Sequence, residues 1–452
     1  MPLKLNSRDA NFTERFRAFA TAERAPAADV ADTVRRIIAR VRAEGDAALI
    51  DLTRQFDRTD LTAETLRVPQ GDIRAARKSL NRKTLEALEL AADRISAFHE
   101  SEVPKSRRFT DAAGVSMGFR WLPVDAAGLY VPGGTAVYPS SVLMNALPAK
   151  VAGVKRLAMT VPTPDGHIDP LILTAADIAG VDEIYRVGGA QAIAALAYGT
   201  ESVAPVDVIT GPGNAYVAEA KRQVFGRVGI DSIAGPSEIL VVADTANDPA
   251  VIAADLLSQA EHDPVAQAVL ITDDADFAAR VEAAVAEHLE TLPRRDIAAA
   301  SWAQWGAIIL VEDLIAETGT LVDRLAPEHL ALAVDDAEAL ADTIAHAGAI
   351  FLGRHTPEAV GDYVGGPNHV LPTGRQARFA SGLGVADFMK RSTLLHCSRG
   401  GLDLIGPAAV TLADAEGLDA HARSVALRLG QMPEPSSDPG DPTDPTSDPA
   451  AR

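Results

Sequence analysis

Apolar positions change their rhythm along the chain. Val30, Val34, Ile37, Ile38 and Val41 recur at helical spacing, and "LNRKTLEALELAADRISAFHE" repeats that period, so the first hundred residues or so are predicted to be mainly helical. From about Ala126, short apolar runs alternate with helical patterns. "AGLYVPGG", "RLAMTVP", "EIYRVGGA" and "VDVITGPGN" read as strands ending in Gly or Pro, and "SSVLMNALPAKVAG" and "LILTAADIAG" read as helices between them. This βαβ order implies a parallel sheet with right-handed crossovers. A second series follows in the same style, with strands at "SEILVVAD", "AQAVLITDD", "GAIILVED", "LALAVDD" and "AIFLG" separated by helices. Beyond about Thr373 an irregular stretch leads to a helical pattern around "AVTLADAEGLDAHARSVALRLG".

The predicted class is therefore α/β, with two tandem, incomplete Rossmann-like units of parallel sheet. Its divisions are a mainly helical segment over 1–120, a first unit over 121–235, a second over 236–373, a small C-terminal appendage over 374–430 and a tail over 431–452. Composition refines this picture. The 452 residues, 47% of them apolar, are enough for two or three domains with ample cores. The tail "MPEPSSDPGDPTDPTSDPAAR" has a proline every few residues and little apolar surface to bury, so it is expected to be disordered and catalytically irrelevant. A net charge of −20 argues against nucleic acid or an anionic membrane as the main partner. No apolar run reaches spanning length and "MPLKLNSRDANF" carries no apolar signal core, so a cytoplasmic location is expected. With one cysteine, Cys397, any metal must rely on His, carboxylate or amide ligands.

Candidate chemistry falls into two groups. "YVPGG", "VGGAQA" and "GPGNAY" each follow a predicted strand, at the carboxyl edge where open α/β sheets bind ligands, so Tyr130, Gln191 and Asn214 would line one edge. Gly211-Pro212-Gly213-Asn214-Ala215-Tyr216 lacks the last glycine of a Gly-x-Gly-x-x-Gly fingerprint, and the same residues serve equally well as tight turns. The second group is polar. In "LSQAEHDP" a helix begun by Asp248-Pro249 would carry Gln259 and His262 on one face of its last turn, where Asp255 or Glu261 could also be read as ligands. Taken alone, that stretch reads as a solvated helix end. Glu328 and His329 stand side by side in "LAPEHLAL", predicted as a helix-to-strand loop, and a carboxylate beside an imidazole suits general base work. Asp362 lies in a glycine-rich stretch near His369. Glu416 and His421 share a site only if Gly417-Leu418 breaks their helix. The other six histidines, at 99, 167, 288, 346, 355 and 396, read as structural or surface residues.

In order along the chain, "YVPGGTAVYPSSVLMNALPAKVAGV", "RVGGAQAIAALAYGT", "GPGNAYV", "AGPSEILV", "LLSQAEHDP", "PEHL", "VGDYVGGPNHVLPT" and "EGLDAHARSV" resemble the histidinol dehydrogenase family over about residues 1–430. The resemblance implies an NAD- and zinc-dependent alcohol and aldehyde dehydrogenase that takes L-histidinol through L-histidinaldehyde to L-histidine, the last step of histidine biosynthesis. It implies one zinc ion per subunit held by Gln259, His262, Asp362 and His421, the catalytic pair Glu328 and His329, substrate contacts at Ser237 and Glu416 as well as at the zinc ligands and His329, and NAD+ contacts at Tyr130, Gln191 and Asn214. It also implies a homodimer whose C-terminal segments are exchanged, so that His421 and Glu416 reach the partner's site. Two rival readings are a related NAD-dependent dehydrogenase of another polar alcohol, expected to differ at the substrate contacts, and a zinc hydrolase in which Glu328 activates water directly.

Overall fold

The computed structural model describes residues 1–24, 30–133, 137–233 and 235–431. All of the tail predicted to be disordered, except Gln431, lies outside them. In chain order the strands are β1 (Leu3–Asn6), β2 (Arg107–Thr110), β3 (Val115–Pro123), β4 (Ala126–Tyr130), β5 (Arg156–Thr160), β6 (Glu183–Tyr185), β7 (Val208–Thr210), β8 (Gly229–Ile230), β9 (Glu238–Ala243), β10 (Gln267–Thr272), β11 (Ala307–Leu310), β12 (His329–Ala333), β13 (Ala349–Leu352) and β14 (Met389–Cys397). Every predicted strand of the two α/β series is present.

Two compact units divide the chain. The larger joins Met1–Val103 to Pro123–Lys390 and contains both parallel sheets. In one, the order is β6-β5-β4-β7-β8; in the other, β1-β11-β10-β9-β12-β13. Counted from its own first strand, each sheet reads 3-2-1-4-5, and the second gains β1 as an extra edge. β1 pairs in parallel with β11, Leu3 opposite Ala307, so the chain's first residues form a strand ahead of the predicted helices. β4, β9 and β12 are buried at every position, as strands covered on both faces must be, which is why their sequences read as apolar runs rather than alternations.

Helices cover both faces of each sheet. Pro139–Ala152 and Pro170–Ile178 pack with one core of the five-stranded sheet, while Gly189–Tyr198 and Ala215–Val224 pack with the core on the other. The change of side between β4 and β7 opens a crevice at their carboxyl ends. In the six-stranded sheet, Pro249–Ala260 and Ala275–Thr291 share one core and Leu314–Leu325 lies in another, so the equivalent reversal falls between β9 and β12.

The smaller unit combines Pro104–Leu122 with the chain from Arg391 onward. Its sheet runs β14-β3-β2, with β2 and β3 antiparallel. This hairpin falls inside the predicted helical segment. Its turn is local chemistry: Asp111 Oδ1 accepts from the N–H groups of Ala113 and Val115 at 3.0 and 2.9 Å, and Gly114 takes φ +75°. Helices Arg399–Ala415 and Asp419–Arg428 complete the unit, separated by Glu416, Gly417 at φ +69° and Leu418. Gly417 thus breaks the helix between Glu416 and His421, the condition under which the two could share a site.

Candidate active site and metal centre

At the carboxyl end of β4, Tyr130 is buried and its hydroxyl accepts the N–H of Gly189 at 3.1 Å, tying the first strand to the start of the helix after β6. Burial pushes the Tyr130 phenol up to about 12, with Asp57 adding to the rise and the Gly189 bond opposing it, so the group stays neutral. Gln191 is buried on the first turn of that helix, beside Gly189. Gly211, just after β7, has φ +115°, and a Cβ there would lie 2.0 Å from the Tyr130 carbonyl oxygen, so only glycine allows the two strand ends to approach. Asn214 is exposed and caps Ala215–Val224, its Oδ1 accepting from Tyr216 N and Val217 N at 3.1 and 3.2 Å. The structure therefore brings Tyr130, Gln191 and the turn bearing Asn214 to one edge. Sequence reading missed the support beneath it. Asp231 accepts from Gly211 N at 2.8 Å, Lys221 donates to Gly211 O at 3.0 Å, and the two buried side chains form an ion pair.

The second cluster sits at the opposite end of its sheet, where β9 and β12 begin. His329 is the first residue of β12 rather than part of a free loop, and the pairing of His329 with Ile239 sets Glu328 beside Glu238. The two glutamates exchange bonds: Glu238 N donates to Glu328 Oε2 at 2.9 Å and Glu328 N to Glu238 Oε2 at 3.1 Å. Arg24 forms a buried ion pair with Glu238. His329 Nδ1 lies 2.9 Å from the Glu238 carbonyl oxygen, which accepts only, so Nδ1 carries a proton and Nε2 is the nitrogen that can gain or lose one. No protein group bonds Nε2, although it is buried.

Helix Glu358–Tyr363 supplies the facing carboxylates. Gly361 packs where a Cβ would meet the Phe351 ring at 2.4 Å, and the Phe351 ring stacks on His329 at 6.1 Å. This close packing leaves Asp362 Oδ1 3.7 Å and Glu358 Oε1 3.9 Å from His329 Nε2. A cavity of about 610 Å³ opens over His329 and Asp362, walled by Phe98, Phe351, Asn368 and His369.

Electrostatics follow from burying several carboxyls together. Burial pushes Glu328 up to about 8, with His329 opposing and Glu238 adding to the rise. At His329 burial disfavours the charge, but Glu328, Asp362 and Glu358 outweigh it and raise the imidazole to about 10. Burial likewise raises Glu358. Asp362 is the exception. Burial opposes its charge, yet His329, His369 and His262 hold it below the ordinary carboxylate range.

The predicted ligands partly assemble here. Asp248 caps the helix Pro249–Ala260 as expected, its side chain accepting from Ala250 N at 2.9 Å. That helix ends at Ala260, so His262 stands in the following turn, its N–H on Gln259 O at 3.0 Å, instead of on the helix face with Gln259. Burial lowers the His262 imidazole while Asp362 pulls it upward, which places His262 within the field of that carboxylate. Gln259 is buried. Its Nε2 donates to Glu358, and its Oε1 has no partner. An orphaned amide oxygen, imidazoles and carboxylates form the oxygen and nitrogen donor set that a borderline divalent cation such as zinc takes, so these residues fit one. The tightest His and acid cluster among the described residues is His329, Glu358 and Asp362, which shares Asp362 with the predicted set. Ser237 is half-buried just before β9. Glu416 and His421 belong to the smaller unit, at exposed positions. Arg24, Glu238 and Glu358 escaped the sequence reading. The available signal for Glu358 was its i, i+4 spacing from Asp362.

Residues 21–429 match the protein family described as histidinol dehydrogenase. The histidinol dehydrogenase of Rhodospirillum rubrum is 63% identical over 431 residues, covering 95% of this chain and 99% of that one. That of Mesorhizobium japonicum is 61% identical over 429 residues, covering 95% of this chain and 100% of the relative. Among solved structures, histidinol dehydrogenase from Elizabethkingia anophelis superposes with a TM-score of 0.90 at 36% identity, covering 95% of this chain and 98% of the other.

Proposed function

The chain belongs to the histidinol dehydrogenase family of oxidoreductases, and from that premise we propose that it oxidises L-histidinol through L-histidinaldehyde to L-histidine at one site, reducing two NAD+. Residues 121–235 are the dinucleotide side, with Tyr130, Gln191 and Asn214 as contacts, and residues 236–373 carry the chemistry. The observation that carries the reading is His329: its Nδ1–H is fixed on Glu238 O and its Nε2 is free above a cavity, beside a Glu328 carboxyl that burial raises to about 8, where it can gain or lose a proton. His329 Nε2 takes the hydroxyl proton as hydride leaves the alcohol carbon for the nicotinamide. Water then adds to the aldehyde, with Glu328 taking its proton, and the hydrate gives up a second hydride to a second NAD+.

Gln259, His262 and Asp362 would hold a zinc ion with His421 of the partner subunit. Such a cation would supply a positive centre that orients the substrate, and it would offset the carboxylates raising His329. Glu416 of the partner subunit and Ser237 would contact the substrate. The smaller unit exposes Leu395, Leu404 and Leu412, which supports a homodimer formed through it. No helix among the described residues is long and apolar enough to cross a membrane, and a biosynthetic role fits the cytoplasm. Relatives this similar over 95% of the chain favour histidinol over another polar alcohol, and the glycine-ended strand edge has no use in a zinc hydrolase.

The direct test is NADH formation from L-histidinol: two NADH per substrate, lost on chelation and restored by zinc. No NADH from histidinol with zinc present would end the proposal. Subunit exchange is tested by mixing His262→Ala with His421→Ala. A swapped heterodimer regains one intact site and about half of wild-type activity if sites act independently, whereas continued inactivity in a verified heterodimer would place His421 in its own subunit's site.

A further inference from the structure

We infer that Glu358 is a positioning residue that turns the Gln259 amide so that its oxygen, and not its nitrogen, faces the metal. The inference rests on the proposal that Gln259 is a metal ligand.

A glutamine amide presents two ends of nearly equal shape and opposite hydrogen-bonding character, and only the oxygen can ligate a cation. Gln259 is 1% exposed, so water is not there to sort the two ends. A partner that could either donate or accept would tolerate both orientations. The Glu358 oxygen that faces the amide accepts from Gln259 Nε2, and Glu358 is itself 2% exposed. Its other oxygen lies 2.9 Å from Ser258 Oγ, so the carboxylate is held by two consecutive residues of the helix Pro249–Ala260. The result is visible on the amide: its nitrogen is bonded and its buried oxygen is unpartnered. An unpartnered buried acceptor is destabilising, a penalty that a bound cation would remove. Glu358 also lies one turn before Asp362 on a helix of six residues, so a single short element both steers one ligand and supplies another. This is the outer-shell arrangement that fixes a ligand's orientation, with an amide in place of the usual imidazole.

The test measures zinc affinity of the purified full-length protein by competition with a chromophoric chelator, with circular dichroism to confirm folding. Glu358→Leu should weaken zinc binding about 10–100-fold, the usual range for loss of an outer-shell partner. Glu358→Gln can offer Gln259 either an acceptor or a donor, so it steers the amide only in part and zinc affinity should fall by less than in Glu358→Leu. Gln259→Glu removes the need for steering, because both ends of a carboxylate are oxygen. In that background Glu358→Leu should leave zinc affinity unchanged or raise it by relieving a like-charge pair. If Glu358→Leu does not fold, Glu358→Ala is read in the same way. Equal losses from Glu358→Gln and Glu358→Leu would overturn the inference, since the carboxylate would then act through its charge or as a ligand. Wild-type affinity in Glu358→Leu, or an undiminished loss in the Gln259→Glu background, would overturn it as well. Failure of the underlying reading looks different: wild type itself would take up no zinc, or His262→Ala and Asp362→Ala would retain it.

Discussion

The two parallel sheets of the larger unit share one strand order but use opposite ends of it. In the five-stranded sheet, glycines and helix starts gather at the carboxyl ends of β4 and β7, and the polar groups there serve the turns themselves: the Tyr130 hydroxyl on Gly189 N, and Asn214 Oδ1 on its helix. In the six-stranded sheet, the reactive groups sit where β9 and β12 begin, buried, charged and incompletely satisfied. Topology therefore specifies where a crevice can form, and side chains decide which end carries chemistry. One edge is built of glycine turns and helix starts. The other bears the strain of buried charge and is expected to govern rate.

If that division holds, changes at the β12 end should affect kcat and changes at the β4–β7 edge should affect the KM for NAD+ or stability. The largest effect is expected for His329→Asn, which should lower kcat by about 10²–10⁴-fold with little change in the KM for NAD+. A stopped-flow measurement of NADH formation checks it, and a pure KM effect would break the comparison.

Glu328→Gln should come next. Glutamine keeps an acceptor for Glu238 N but cannot take a proton, so the second hydride transfer should slow by about 10²-fold and the first much less. Histidinaldehyde should then accumulate in single-turnover trapping. Because Glu328 is raised to about 8, it is ionised only above that pH. The wild-type aldehyde step should therefore accelerate as pH rises toward 8 and level off above it, and Glu328→Gln should abolish that rise. Equal slowing of both steps would argue against separate roles for Glu328 and His329.

Gly211→Ala probes the other edge. Its Cβ would press on the Tyr130 carbonyl from a left-handed backbone, so a loss of about 1–3 kcal/mol in denaturant unfolding is expected, along with a raised KM for NAD+. An unchanged unfolding midpoint would mean that the strand ends can separate at no cost.

Much of this division was legible in the sequence, and the gaps have physical causes. Strands buried on both faces announce themselves as apolar runs, and turns that need Gly or Pro mark their own ends, so the edge with Tyr130, Gln191 and Asn214 was visible before any coordinates. Asp248-Pro249 was equally readable because a helix cap is local. β1 was not, since "LKLN" alternates for only four residues and becomes a strand only by pairing with β11, some three hundred residues away. Glu238 and Glu358 look like any other glutamates. What distinguishes them is burial against Arg24 and Gln259, a property of tertiary packing to which the i, i+4 spacing of Glu358 from Asp362 is only a weak pointer. His262 was placed on a helix that ends two residues before it, because the sequence marks where that helix begins more clearly than where it stops.

The smallest expected effect also separates the two meanings of the β4–β7 edge most sharply. Asn214 has a structural task, capping Ala215–Val224 through Oδ1, and a proposed functional one, contacting NAD+. Asn214→Ala removes both, and should cost about 1 kcal/mol of stability, the usual value of an N-cap, while raising the KM for NAD+. Asn214→Ser keeps an oxygen that can accept from the same N–H groups but loses the amide's donor end. If the edge only builds a turn, serine restores stability and KM together. If Asn214 also touches the dinucleotide, serine restores the unfolding midpoint but leaves the KM for NAD+ raised and kcat near wild type. A lowered kcat in Asn214→Ser with its stability intact would mean that the carboxyl edge of the first sheet contributes to the chemistry after all, and the contrast between the two sheets would fail.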